Sequence, residues 1–89
     1  MLRLRVKEVA REKGMSMHRL SLQAQLSYHV IREIFIDPYK PVSSDTINRV
    51  AEALGVPVTA IIEDVPREQA EEERRRLRSR TSGGESSSG

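Results

Sequence analysis

The sequence has no cysteine, which excludes disulfide frameworks and thiolate-bound metals. No apolar run approaches the ~20 residues that a membrane-spanning helix requires, and the N-terminus has no secretory leader pattern. Alternation of apolar and polar residues, the mark of a half-buried strand, is nowhere sustained over a useful length. The chain also lacks a nucleophile–base arrangement, a glycine-rich phosphate loop and a carboxylate dyad. His18 and His29 stand eleven residues apart with no paired carboxylate nearby, so they do not suggest a metal site. The formal net charge is only +2, with a pI near 9.4, a basic excess too small to define a partner by itself. These absences lead to the expectation of a cytoplasmic, non-enzymatic protein. No cofactor, metal, small-molecule ligand or membrane is expected to bind it.

What the chain does have is concentrated in one part. Its 89 residues suit a single small domain, and the aliphatic residues lie almost entirely before Pro66. Residues 67–89 read REQAEEERRRLRSRTSGGESSSG, with Leu77 their only large aliphatic. The expected division is a domain over residues 1–66, followed by a tail over 67–89. That tail, charged and then Ser/Gly-rich, is expected to be a fraying helix or disordered and to bury almost nothing. Glu71 and Arg75, like Glu72 and Arg76, have the i,i+4 spacing of helix surface pairs.

Helical periodicity runs through the first part. Val6, Val9 and Ala10 mark an amphipathic helix within Arg3–Lys13, which Gly14 stops. Ser16 is a candidate N-cap for a second helix with Met17, Leu20 and Ala24 inside. Ser27 is the next candidate cap, opening a helix with Ile31 and Ile34 on its inner side. The stretch DPYKPVSS reads as a loop because of its two prolines. Ser43 or Ser44 then opens a fourth helix, with Ile47, Val50, Ala51 and Leu54 at i, i+3, i+4 and i+7. Gly55 ends it, and Pro57 is expected to begin a short fifth helix carrying Val58, Ile61 and Ile62. The spacing predicts an all-α fold of five helices.

A helix ending at Ala24, a break at Gln25-Leu26-Ser27 and a new helix after Ser27 have the spacing of a helix-turn-helix. In that motif the second helix enters the major groove. The stretch KGMSMHRLSLQAQLSYHVIREI, followed by VSSDTINRVAEALGVPVTAII, resembles the Cro/repressor-type helix-turn-helix family, also called the XRE family. The elements shared with it are Lys13-Gly14-Met15-Ser16, the small Ser21 after the first brace-helix apolar, and Thr46-Ile47, Val50-Ala51 and Ala53-Leu54-Gly55-Val56 in the fourth helix. The loop Asp37-Pro38-Tyr39-Lys40 is similar to that of a subgroup with PY and a base after the recognition helix. The resemblance covers about residues 3–64. Two positions depart from it: Met17 stands where many relatives have Gln, and Gln25 where many have Gly. A left-handed turn at Gln25 would cost roughly 1 kcal/mol.

The resemblance implies a compact repressor-like domain whose recognition helix, about residues 27–36, presents Tyr28, His29 and Arg32 to base edges. Arg32 has the geometry for guanine O6 and N7. Glu33 is expected to be solvated or salt-bridged. Ser16 and Ser27 are expected to cap their helices, and a capped N-terminus facing the duplex also binds phosphate through its N–H groups. Lys40 and Arg19 are further candidate phosphate contacts, as are Arg5 and Arg11, each against the plainer reading of a solvated arginine. The function this implies is sequence-specific binding of double-stranded DNA by a transcriptional regulator of bacterial or phage type. One small helix covers few base pairs, so a homodimer on two half-sites about 34 Å apart is implied. The alternative is a protein-binding adaptor or antitoxin-like module on the same fold, suggested by the modest net charge and by Met17.

Overall fold

The computed structural model describes residues 1–88, with side chains through Ser79. In chain order the elements are β1 (Leu2–Leu4), α1 (Val6–Glu12), α2 (Met17–Ala24), α3 (Tyr28–Ile36), α4 (Ser44–Leu54), a 3₁₀ turn (Val58–Ala60), β2 (Ile62–Asp64) and α5 (Arg67–Ser88). The expected all-α, five-helix class is borne out, with a small two-stranded sheet added. No helix among the described residues is long and apolar enough to cross a membrane.

Local chemistry sets the helix ends. The hydroxyls of Ser16, Ser27 and Ser43 accept from the backbone N–H of Arg19, Val30 and Thr46 at 3.1, 3.2 and 3.1 Å, so each helix starts on a serine cap. Three helices end on the same motif, with one residue in the left-handed region and two N–H groups folded back onto the last turn. Gly14 and Gly55 serve this role for α1 and α4, and Gln25 for α2. At Gln25, φ is 57° and ψ 44°; its N–H and that of Leu26 donate to Leu22 and Ser21. The left-handed turn that the sequence left conditional is therefore present, on a residue with a Cβ.

The core sits between α1, α2, α3 and α4. Leu20, Ile31 and Ile61 are fully buried, and Val6, Val50, Ala24, Ile34 and Leu54 nearly so. Burial of one such aliphatic contributes about 1.5–3 kcal/mol. Leu20 and Ala24 from α2 and Ile31 and Ile34 from α3 belong to this one cluster, with half-buried Met17 and Leu26 packed on it. Their packing fixes the angle between α2 and α3. Ser21 is buried on the inner side of α2, and its hydroxyl donates to the carbonyl of His18 at 2.7 Å.

Two expectations require correction at the chain's ends. The helix predicted after Pro57 is a single 3₁₀ turn, after which Ile62–Asp64 pairs antiparallel with Leu2–Leu4 in the register Leu2↔Asp64, Arg3↔Glu63, Leu4↔Ile62. Residues 3–5 are consequently not helical. The N–H of Leu4 donates to Pro38 and that of Arg5 to Ile61, both at 2.7 Å, so α1 starts only at Val6. Three-residue strands are too short for alternation to register in a sequence.

The segment after Pro66 also buries more than expected. Ala70 is fully buried against Tyr39 and Val65 in a second cluster. Glu73 on the next turn accepts from Arg3 Nε and Nη2 at 2.9 and 2.8 Å, and from the hydroxyl of Tyr39. Arg3 completes its fork on Glu8 at 2.5 Å and Glu63 at 3.3 Å. One guanidinium therefore ties β1, α1, β2 and α5 together.

Candidate nucleic-acid interface

α3 has two faces. Ile31 and Ile34 point into the core, which leaves Tyr28, His29 and Arg32 exposed on the opposite side. The i, i+4 and i, i+3 spacing of helix neighbours places Arg32 next to Tyr28 and His29. Tyr28 also leans against His18 of α2, with ring centroids 6.3 Å apart and planes tilted by 52°. The three candidate base contacts are thus brought together on one face, at the start and middle of the helix.

The candidate phosphate contacts differ in their surroundings. Ser16 and Ser27 are exposed caps at the N-termini of α2 and α3. Each uses an oxygen lone pair for the cap, which leaves the hydroxyl proton to donate outward. The N-termini themselves carry the partial positive charge of the helix dipole. Arg19 is exposed on the first turn of α2, two residues after Met17. Lys40 lies beyond the end of α3 with its ammonium 2.6 Å from Glu33 Oε1.

Glu33 is the charge hub of this face. Besides Lys40, its Oε1 lies 3.2 Å from Nε2 of His29. The hydrogen bond from Lys40, with the charges of His29 and Arg32, holds the Glu33 carboxyl below the ordinary carboxylate range. Its expected salt-bridged role is what the geometry has. The consequence is local: a carboxylate on the outward side of α3 offsets part of the positive charge of Lys40 and accepts from His29.

The loop after α3 is anchored from behind. The side chain of Asp37 accepts from the backbone N–H of Tyr39 at 3.0 Å, and the carbonyl of Pro38 accepts from Leu4. The Tyr39 ring is buried and its hydroxyl donates to Glu73. Burial and then the Glu73 carboxylate push the Tyr39 phenol up to about 12. Glu73 is held low, first by its hydrogen bonds from Arg3 and then by that from Tyr39. The tyrosine of the PY loop therefore faces inward, and Lys40 alone of that pair points to the surface side. The sequence held no sign of this anchor, because Tyr39 and Glu73 are 34 residues apart and Arg3 and Glu73 are 70 apart.

Two short helices in contact, a three-residue turn and an exposed polar face on the second define a helix-turn-helix. The model of the Cro/C1-type HTH DNA-binding domain matches residues 5–67. The chain belongs to that family, a class of DNA-binding regulators. No curated protein matches the chain.

Proposed function

We propose that the protein is a sequence-specific transcriptional regulator that lays α3 in the major groove of double-stranded DNA and catalyses nothing. The observation that carries this reading is the grouping of Tyr28, His29 and Arg32 on the outward face of α3, beside two serine-capped helix N-termini. Arg32 reads guanine through its two-pronged guanidinium. His29 donates or accepts at a neighbouring base edge, and Tyr28 packs on a thymine methyl or donates to phosphate. Ser16, Ser27, Arg19 and Lys40 hold the backbone on either side. Residues 1–66 form the DNA-binding unit, with α5 appended as a brace. The small footprint of one helix calls for a homodimer on two half-sites.

The test is selection of bound sequences from a random duplex pool, followed by titration of the selected site at two salt concentrations. A shared half-site in the selected pool and affinity that falls steeply with salt support the reading. Affinity indifferent to salt, with no enriched sequence, overturns it in favour of the adaptor alternative. The carboxylate of Glu33 on the candidate reading face is the observation on that side.

A further inference from the structure

The outward stripe of α3 does not stop at Arg32. One turn further on, Ile36 is 41% exposed at the end of the helix. Ile36 and Phe35 form part of the floor of a groove of about 410 Å³, completed by Met17 from α2 and Leu77 from α5. Lys7 and Arg11 from α1 and Arg32 from α3 also line it. None of these three cations is ion-paired with a carboxylate among the described residues, whereas Arg3, Lys40, Arg49 and Arg76 each hold one. Four apolar side chains beside three cations that hold no ion pair among the described residues make a surface with a specific complement.

We propose that this groove docks an acidic amphipathic helix of a partner protein. The partner's apolar side chains rest on Met17, Phe35, Ile36 and Leu77, and its carboxylates meet Lys7, Arg11 and Arg32. A phosphate backbone is served by the cations alone and gains nothing from the apolar floor. A purely apolar partner would cover three cations without pairing them, which is costly. Only a segment carrying both satisfies the two parts of the surface, and an amphipathic helix laid in a groove is the common form of such recognition. Arg32 cannot serve a partner's carboxylate and a base edge together, so partner and duplex exclude each other. That exclusion rests on the DNA-reading role given to Arg32; the docking itself does not.

The experiment uses the full chain and a fluorescent synthetic helix of about fifteen residues, with leucines on one face and glutamates on either side of them. A second peptide replaces the leucines with serine and keeps every glutamate. The leucine peptide is expected to bind saturably, and the serine peptide at least about tenfold more weakly. Ile36→Ser and the double change Lys7→Gln with Arg11→Gln should each weaken the leucine peptide about tenfold or more, with helical circular dichroism unchanged. Absence of saturable binding, equal binding of the two peptides, or variants that bind as the parent does would each overturn the docking proposal. Displacement of the peptide by duplex is expected, and peptide binding indifferent to duplex overturns the exclusion. If Arg32→Ala leaves duplex affinity unchanged, the fault lies in the DNA role of Arg32, and the peptide measurement still stands on its own.

Discussion

Arg3 on β1 grips Glu73 on α5 through two parallel contacts, Nε to Oε1 at 2.9 Å and Nη2 to Oε2 at 2.8 Å. A forked arginine–carboxylate pair is among the stronger charge-assisted contacts. The Arg3 side chain is only 17% exposed, and Glu73 is shared with the hydroxyl of Tyr39. The loop that leaves α3 is therefore fastened to α5 through a single carboxylate.

Truncation after Pro66 should cost stability. It removes the Glu73 fork, leaves the Tyr39 hydroxyl without its partner and strips Ala70 from the cluster it forms with Tyr39 and Val65. The expected loss is about 2–3 kcal/mol, and Glu73→Gln alone should cost about 1–2 kcal/mol after allowance for its partial exposure. Denaturant titration of the shortened chain checks this. An unchanged midpoint would mean that α5 does not dock in solution.

The same carboxylate sets the response to acid, and its phenol partner the response to base. Glu73 is held below the ordinary carboxylate range in the folded chain. Its contribution is therefore full above the unfolded value of ~4.3 and is lost as pH falls through the lower folded value. Tyr39 is raised, from ~10 unfolded to about 12 folded, so its contribution is full below ~10 and is lost as pH rises towards 12. Chemical denaturation over both ranges should show Glu73→Gln flattening the acid limb and Tyr39→Phe the alkaline limb. Limbs unaltered by these changes would assign the pH dependence to other groups.

Gln25→Gly should stabilise the fold by up to about 1 kcal/mol. A residue with a Cβ is held at φ 57°, and glycine relieves that strain, although it also frees the unfolded chain. The side chain of Gln25 is exposed, so little packing is lost. A midpoint that stays or drops on urea titration would show that Gln25 adopts this conformation without strain.

What the sequence displayed, and what it hid, follows from range. Ser16, Ser27 and Gly14 act within one turn of their own position, and Leu20, Ile31 and Ile34 repeat at helical spacing, so the helix-turn-helix was visible. The break at Gln25 was visible too, while its left-handed backbone depended on the two N–H groups folding back. Strand pairing of Leu2–Leu4 with Ile62–Asp64 joins the two ends of the domain through three residues each, too few for a pattern. Arg3, Tyr39 and Glu73 look like ordinary surface residues until the chain brings them together. The pairing of Lys40 with Glu33 was hidden for a related reason: seven residues separate them, across the end of α3.

Glu33→Gln should strengthen binding to any duplex. The change removes a negative charge from the outward side of α3 and releases Lys40 and His29 from it. Affinity for random and selected duplexes should rise together, with the salt slope steeper by about one unit. Binding isotherms at two salt concentrations measure both. A gain confined to one sequence would instead make Glu33 a base discriminator.

The last expectation separates readers from holders. Arg32→Ala and His29→Ala remove candidate base-edge contacts from an exposed helix face. Each should cost about 1–3 kcal/mol on the selected site and relax the sequence preference, with much less effect on a scrambled duplex. Lys40→Ala removes a candidate phosphate contact and should weaken both duplexes alike. Its loss in salt slope should fall short of one full unit, because Glu33 already neutralises part of that ammonium. The decisive quantity is the ratio of affinities for selected and scrambled duplexes in each variant. If Arg32→Ala and His29→Ala both leave that ratio at the parent value, α3 does not read DNA, and its exposed face belongs to a protein partner.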